Sequence, residues 1–310
     1  MNRKSAVDPE TAIQRIRRHT HPLTPIPTGQ KSRLRNLSDI RAVLFDVYGT
    51  LFISASGDIG STGQGARAQA FGQTLRALDI PADAETAKRG ASVLVETIGK
   101  AHEQLMAEGR EHPEVEIRDI FREVLESLWK EGRIPSRPDD ELREAVALEY
   151  ECRINPTWPM PGLAKTLERL KERKVVLGIV SNAQFFTPLL FPAHLGDSLE
   201  TLGFESDLCV WSYIHLEAKP SLNLFNHAAE NLGRLNIDQR QVLYVGNDRV
   251  NDIWPAGGAG FKTALFAGDR RSFRPREGDP RSTGVTEDVL LTDLRQLPEI
   301  LDSVQSSADS

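Results

Sequence analysis

Five short apolar runs, rich in β-branched residues, constrain the fold of this chain more than any other feature. They cover residues 42–45, 175–180, 208–211, 242–245 and 263–266. Each run is continuously apolar rather than alternating, which is typical of strands covered on both faces of a sheet. Helical stripes separate the later runs, namely Leu163, Leu167 and Leu170, then Leu222, Phe225, Ala229 and Leu232. This order predicts an α/β fold with a Rossmann-like, doubly wound parallel sheet of about five strands.

A long insertion follows the first run. About 120 residues with almost no strand pattern precede the second run, too many for a structureless loop. Four amphipathic helical patterns occur there. They are marked by Phe71, Leu75 and Leu78; by Val95, Ile98, His102 and Leu105; by Ile117, Ile120, Phe121, Val124, Leu128 and Trp129; and by Leu142, Val146 and Tyr150. His102 lies on such an apolar stripe and is expected to pack in a core. The pattern predicts an all-helical unit over residues 55–159, inserted into a core of residues 39–54 and 160–302.

The N-terminal segment is basic. Residues 1–40 carry eight Lys and Arg against three acids, although the whole chain has a net charge of −6. No aromatic residues are interleaved with these charges and no binding motif follows, so no clear nucleic-acid or membrane partner is indicated. We expect residues 1–38 to form a solvated, partly mobile arm with a short helix near residues 11–18.

Two cysteines, Cys152 and Cys209, lie far apart in the sequence. A disulfide framework is therefore not expected, and a reducing compartment fits best. No apolar run reaches the roughly 18 residues that a membrane helix needs. These features favour a cytoplasmic protein and leave organellar targeting by the basic arm open; nothing indicates the oligomeric state.

Polar residues stand where the predicted strands end. Asp46 follows the first strand, Ser181 and Asn182 end the second, and Lys219 comes after the third. The fourth strand leads into an acidic loop, residues 246–252, which contains Asn247, Asp248 and Asp252. Ligands bind at the carboxyl ends of strands in open parallel sheets. Each residue alone is a weak signal, because Asp and Gly are common in turns, but the ordered set predicts one reactive crevice.

The ordered set resembles the haloacid dehalogenase superfamily from about Arg41 to Phe266. The first motif is the segment from Asp46 to Thr50, the second is Ser181, the third is Lys219 with Pro220, and the fourth is the acidic loop. The inserted helices are similar in position to the cap of that family. The resemblance implies a hydrolase with a helical cap placed just after the first motif.

The resemblance also implies roles for these residues. Asp46 would attack the substrate and form a covalent intermediate, and the charge of Lys219 would favour its carboxylate. Ser181, Asn182 and Lys219 would bind the oxygens of the transferred group, and Thr50 would orient Asp46. An Mg²⁺ ion would be held by Asp46, the backbone carbonyl of Tyr48, one of Asn247 or Asp248, and Asp252.

Two departures from the family pattern point in opposite directions. Tyr48 stands where the phosphatases of this superfamily usually carry a second, acid–base Asp. Tyrosine with an ordinary pKa near 10 is a poor base, but a perturbed Tyr48 could donate a proton and so remains a candidate catalytic residue. The 2-haloacid dehalogenases have Tyr at this position, and a halide leaves without a proton. The acidic loop instead has the spacing of the phosphatases, although Asn247 replaces its first acid.

The sequence favours an Mg²⁺-dependent phosphohydrolase acting on a small phosphorylated metabolite. One alternative is a metal-independent 2-haloacid dehalogenase, for which Arg67 and Arg76 are candidates to bind a substrate carboxylate, although both read more simply as exposed helix residues. Another alternative is a weakly active binding member, since fold alone does not fix chemistry. All three imply a small anionic ligand. The arginine-rich run after the last strand, residues 269–274, is expected to be a solvated loop, with contact to an anionic substrate from the rim of the site as the alternative.

Overall fold

A six-stranded parallel sheet forms the centre of the molecule. The structure is a computed structural model that describes residues 5–56 and 63–301. The strands lie in the order β5-β4-β1-β6-β7-β8, with bounds Ala42–Phe45 (β1), Val176–Ser181 (β4), Phe204–Trp211 (β5), Val242–Gly246 (β6), Lys262–Phe266 (β7) and Val289–Leu291 (β8). β1 lies between β4 and β6, with Ala42 paired to Val176 on one side and to Val242 on the other. The predicted α/β parallel sheet is confirmed.

Both faces of the sheet are buried, which explains the continuous apolar runs. Val43 and Phe45 of β1 belong to a core on one face, whereas Ala42 and Leu44 belong to a core on the other. Successive side chains of a strand point to opposite faces. One face of the sheet is covered by helices α6 (Leu163–Glu172), α7 (Leu190–Leu195) and α11 (Leu297–Ile300). The other face is covered by α9 (Leu222–Arg234) and α10 (Trp254–Gly258).

The sheet has one strand more than the five predicted runs. β8 contains only three residues and follows Asp288, so its pattern is too short to distinguish from a turn. Two further short strands, β2 (Phe52–Ser54) and β3 (Thr157–Pro159), form a separate antiparallel pair. They join the two chain segments that enter and leave the inserted helices. Residues 57–62, near the start of the predicted helical unit, lie outside the described residues.

Four helices occupy the insertion, as the sequence predicts: α2 (Gln64–Ala77), α3 (Ala84–Ala107), α4 (Ile117–Lys130) and α5 (Asp140–Ile154). Each packs on its sequence neighbour, and α2 also packs on α5. The aromatic rings of Phe71, Phe121 and Tyr150 meet at the centre of the inserted helices, with their centroids 5.8–6.4 Å apart. The helices thus share a hydrophobic core distinct from the cores of the sheet.

The apolar face of α3 differs from the predicted one. The helix buries Ala87, Ala91 and Leu94 in the helical core. Val95 is 47% exposed, and Ile98 and His102 are only half-buried. Periodicity identifies an apolar stripe but does not say whether protein or a cavity lies against it. Val95, Ile98 and His102 line a cavity. The prediction that His102 packs in a core is therefore wrong.

The described part of the N-terminal segment, from Ser5 onwards, is packed against the molecule instead of forming a solvated arm. Helix α1 (Pro9–His19) buries Ala12 and Ile16. Arg17 donates to the carbonyls of Pro192 and Ala193 beside α7, while Arg15 and His19 bond Glu149 of α5 at 3.0 and 2.7 Å. The arm differs from the expectation because its cations compensate buried acids of the rest of the chain. α1 therefore links the inserted helices to the sheet domain.

Glu149 shows how strong this compensation is. Burial opposes ionisation of its carboxyl, but the bonds and charge of His19, then those of Arg15 and Arg153, outweigh burial and lower the pKa to about 2. A second acid of α5, Glu144, accepts the backbone N–H groups of Ala6 and Val7 at 2.8 and 3.0 Å. Both buried carboxylates of α5 are therefore satisfied by the arm.

No helix in the described parts of the chain combines the length and the apolarity needed to cross a membrane.

Candidate active site

The predicted strand-end residues meet in one crevice. Asp46 immediately follows β1 and its carboxylate is 6% exposed. Its Oδ1 accepts the hydroxyl of Ser181, the last residue of β4, at 2.9 Å and the ammonium of Lys219 at 2.6 Å. The parallel topology brings these ends together, because β1 lies directly beside β4. Within the described residues the other oxygen of Asp46, Oδ2, accepts no hydrogen bond.

Lys219 lies between two carboxylates. Its Nζ is 2.6 Å from Oδ1 of Asp46 and 2.6 Å from Oδ1 of Asp252, and all three side chains are buried. Burial opposes the charge of Lys219, but the carboxylates of Asp252 and Asp46 outweigh it and raise the pKa to about 12. Burial raises the pKa of Asp252 to about 6, and Lys219 counters only part of this effect. The negative charges of Asp46 and Asp248 add to the rise, so negative charge exceeds positive charge immediately around Asp252.

Tyr244 completes this cluster and was not predicted. Its hydroxyl lies 3.2 Å from Lys219 Nζ, 3.1 Å from Asp252 Oδ1 and 2.8 Å from the carbonyl of Val180. Tyr244 lies in the middle of β6 and is fully buried. The only sequence signal was a hydroxyl within an apolar strand, which usually needs a buried partner.

Two glycines let the motif loops approach closely. A Cβ at Gly246 would lie 2.4 Å from Cγ of Asp252, so only glycine admits that carboxylate beneath the end of β6. Gly49 has a φ of 84°, a left-handed conformation that favours glycine. A Cβ there would lie 2.3 Å from Cβ of Ser272. The backbone after Asp46 is therefore packed against a loop that follows β7.

Thr50 contacts a different residue from the one predicted. The sequence predicts that it orients Asp46, but its hydroxyl donates to Oδ1 of Asn247 at 3.0 Å. Nδ2 of Asn247 in turn donates to the carbonyl of Ser272 at 2.6 Å. Thr50 and Asn247 thus tie the first and fourth motifs to the loop after β7. The amide of Asn247 is bonded at both ends and is poorly placed to bind a metal ion.

Asp248 is also engaged by protein. Its carboxylate accepts two bonds from Nε of Arg276, at 3.0 and 3.1 Å, and one from Nη2 at 2.5 Å. It further caps the turn of Arg249–Ile253 by accepting backbone N–H groups of Val250 and Asn251. A clamped carboxylate of this kind is a structural anchor. Of the five predicted metal-binding residues, Asp46, Tyr48 and Asp252 remain as candidates. Asp252 is engaged as well, because its Oδ1 accepts from Lys219 and Tyr244 and its Oδ2 accepts the backbone N–H of Asp248 at 2.9 Å.

Asp46, Tyr48 and Asp252 could bind Mg²⁺ only together with further ligands from water or substrate. Across residues 5–56 and 63–301, no three His, Cys, Asp or Glu side chains lie close enough together to hold a metal ion. Two carboxylates, from Asp46 and Asp252, and the backbone carbonyl of Tyr48 are donors of the kind that Mg²⁺ prefers. Water and substrate phosphate commonly supply its other positions. The excess negative charge around Asp252 favours such a cation.

Tyr48 is not an acid or a base in this geometry. Its hydroxyl lies 3.0 Å from that of Thr187. Burial, and next the charge of Glu151, raise the pKa of Tyr48 well above its ordinary value. The phenol therefore stays protonated, and the second, acid–base carboxylate of the phosphatase pattern has no substitute at this position.

A cavity of about 560 Å³ opens above Asp46. Its polar end is lined by Asp46, Asn182 and Lys219, and by Arg274 and Arg276. Asn182 is held there because its Oδ1 accepts the backbone N–H of Lys219 at 2.7 Å. Its other end is lined by apolar residues of α3, α4 and α5. Arg67 also lines the cavity, whereas Arg76 does not and donates to the carbonyl of Ala82.

The arginine-rich run after β7 belongs to the site, so the expectation of a solvated loop is wrong. Asp269 is 1% exposed and accepts the N–H of Ile26, and Arg271 donates to the carbonyl of Thr24. These bonds to the N-terminal segment hold the loop over the crevice. They place Arg274 and Arg276 at the cavity wall, where positive charge would attract an anionic substrate.

Glu151 is a second residue that the sequence did not reveal. It lies on α5, lines the cavity and accepts Nδ2 of Asn155 at 3.4 Å. Burial raises the pKa of its carboxyl to about 7. The cavity therefore contains an acid that titrates near neutral pH.

We expect Glu151→Gln to stabilise the protein at pH 8. A folded-state pKa above the ordinary 4.5 means that ionisation costs folding free energy as pH rises from about 4.5 to about 7. The amide removes this cost, which is on the order of 2 kcal/mol after allowance for the open side of the cavity. Urea unfolding at pH 8 and pH 4.5 would show the gain only at the higher pH. Glu103→Gln, at an exposed position, is the control. An equal gain in stability at both pH values would contradict a raised pKa for Glu151.

Comparisons with known proteins agree with this geometry. Residues 40–260 match a family model described as haloacid dehalogenase-like hydrolase. Phosphoglycolate phosphatases of Shigella boydii and Escherichia coli K12 are 27% and 28% identical over 229 residues, covering 73% of this chain and 81% of theirs. The 2-haloacid dehalogenase of Pseudomonas syringae pv. Tomato has a similar fold, with a TM-score of 0.50 at 20% identity, over 84% of this chain and 97% of that one.

Proposed function

The chain belongs to the haloacid dehalogenase-like hydrolases, and from that premise we propose that it is a phosphohydrolase with Asp46 as its covalent nucleophile. The observation that carries this proposal is the acidic pair of Asp46 and Asp252, held 2.6 Å from either side of Lys219. Asp252 comes from a loop with phosphatase spacing. The similarity to phosphoglycolate phosphatases and the arginines at the cavity wall support an anionic, phosphorylated substrate.

The reaction begins at the unbonded oxygen of Asp46. Oδ2 attacks phosphorus while Lys219 and Ser181 hold Oδ1, and the bond from phosphorus to the alcohol oxygen breaks. The departing alkoxide takes a proton from water. The hydroxide that remains attacks phosphorus and releases inorganic phosphate, which returns Asp46 to its carboxylate. One phosphate ester and one water thus give one alcohol and one phosphate.

Positive charge stabilises the transferred group in this scheme. Lys219, the amide of Asn182 and Arg274 lie around the polar end of the cavity and can pair with phosphate oxygens. Mg²⁺, held by Asp46, the Tyr48 carbonyl and Asp252, would neutralise part of the phosphate charge. Because Tyr48 supplies no proton, substrates with good leaving groups should react faster. Helices α2–α5 act as the cap that encloses the substrate.

A second candidate is 2-haloacid dehalogenation, which Tyr48 specifically favours. Asp46 would attack the carbon that bears the halogen, and the carbon–halogen bond would break with loss of halide. Water would then hydrolyse the ester at Asp46. This reaction needs no protonated leaving group, so the missing acid would have no consequence.

Phosphate and halide release distinguish the two candidates. The purified protein is incubated with phenyl phosphate, with acetyl phosphate and with 2-chloropropionate, each with Mg²⁺ and with EDTA. We expect phosphate release that requires Mg²⁺ and no chloride release. Chloride release that persists in EDTA, without phosphate release, would establish the dehalogenase instead.

A further inference from the structure

The cavity above Asp46 is divided into a polar end and an apolar end. Val95 of α3 is apolar, is 47% exposed and lines this cavity. Ile98, one turn further along α3, is half-buried and lines the same cavity. Ile117 of α4 and Ile154 of α5 complete this apolar lining. Single exposed apolar residues are ordinary, but apolar residues that together line one cavity are typical of a site for an apolar ligand.

The size of the cavity exceeds what a very small substrate fills. A volume of about 560 Å³ falls within the range of about 300–1,000 Å³ for sites that enclose ligands with many heavy atoms. A two-carbon phosphorylated acid, of the kind for which the curated relatives are named, would occupy only the polar end. It would leave Val95 and Ile98 facing water.

The apolar end also offers little to a sugar. Several of its polar side chains already bond protein groups: Glu114 accepts the hydroxyl of Ser212 and the N–H of Val115. Gln184 bonds the backbone of Val115 and Ile117, and Glu151 accepts Nδ2 of Asn155. Burial lowers the pKa of His102, which favours the neutral imidazole there. A polyhydroxylated substrate would lose hydrogen bonds to water without replacement.

We propose that the substrate is a phosphate monoester of an apolar alcohol, with its phosphate at Asp46 and its hydrocarbon part against Val95 and Ile98. This inference rests on the proposed phosphohydrolase function and names its substrate class. The apolar group is at least the size of a short alkyl chain or an aromatic ring. α3 then determines specificity through Val95 and Ile98, which line the cavity.

The test is a series of straight-chain primary alkyl phosphates, from ethyl to octyl, with phosphoglycolate and glucose 6-phosphate for comparison. The alkyl leaving groups have nearly equal basicity, so differences in kcat/KM report binding of the hydrocarbon. We expect kcat/KM to rise about threefold for each added methylene until the cavity is full. Phosphoglycolate and glucose 6-phosphate should fall below butyl phosphate.

Two variants locate the effect on α3. Val95→Asn should flatten the dependence on chain length, and Val95→Trp should move the optimum to a shorter chain. Leu235→Asn, at a position 39% exposed and outside the cavity, should leave the dependence unchanged. Hydrolysis with flat or falling kcat/KM along the series would overturn this inference and leave the phosphohydrolase intact. Phosphate release from phenyl phosphate but from none of the alkyl esters would likewise overturn this inference alone. No release from phenyl phosphate or from any alkyl ester with Mg²⁺ would overturn the proposed function, and this inference with it.

Discussion

Asp46→Asn is expected to lower kcat for phosphate release by at least about 10⁴-fold, with little change in stability. The amide has nearly the shape of the carboxylate, and its oxygen can still accept from Ser181 and Lys219. It is not a nucleophile, so no covalent intermediate forms. The buried ammonium of Lys219 keeps Asp252 as a partner at 2.6 Å, which protects the fold. Initial rates with phenyl phosphate, together with urea unfolding, measure both effects.

Asp46→Ser provides a second variant that cannot revert to aspartate by deamidation. The control is Asp79→Asn at the surface, after α2, which should keep its full activity. Turnover of either Asp46 variant within tenfold of the wild type would contradict the assignment of Asp46 as the nucleophile.

Lys219→Met is expected to lower kcat/KM by about 10³-fold and to destabilise the fold by about 3 kcal/mol at pH 8. Without the ammonium, the buried carboxylates of Asp46 and Asp252 face each other with no cation between them. The pKa of Asp252, already about 6, would then rise further. Ionising a carboxyl with a raised pKa costs folding free energy as pH increases, so the loss should shrink towards pH 5.

Urea unfolding of wild type and variant at pH 5 and pH 8 measures this loss. The exposed Lys165→Met on α6 is the matched control for removing a lysine. A loss of equal size at both pH values would show that Lys219 acts by packing rather than by charge. No loss at either pH would contradict the buried ion pairs altogether.

The sequence was sufficient to place Asp46, Ser181, Lys219 and Asp252 in one crevice. Each follows or ends an apolar run, and the ends of parallel strands share an edge, so order along the chain implies proximity in space. The four inserted helices were predictable for a similar reason, since each buries one apolar stripe of its own. Both inferences depend on local patterns and a topology with few alternatives.

The contacts that modify the site were not predictable because they join distant segments through single side chains. Arg276 clamps Asp248 from a loop that no pattern connects to the acidic loop. Thr50 bonds Asn247 rather than Asp46, a choice set by the packing of Ser272 against Gly49. The basic arm carries no sign in its own sequence that Glu144 and Glu149 would bind it. Sequence patterns fix the elements, whereas these pairs follow from tertiary packing.

Detection of a phosphoryl group on Asp46 tests the central claim most directly. Wild-type protein is mixed with Mg²⁺ and an excess of phenyl phosphate, quenched in acid within the first turnover, and digested for mass analysis at low pH. The account predicts one added phosphoryl group on the peptide that contains Asp46, which disappears when the quench is delayed past substrate exhaustion. Steady turnover with no label on that peptide, or with the label on another residue, would contradict it.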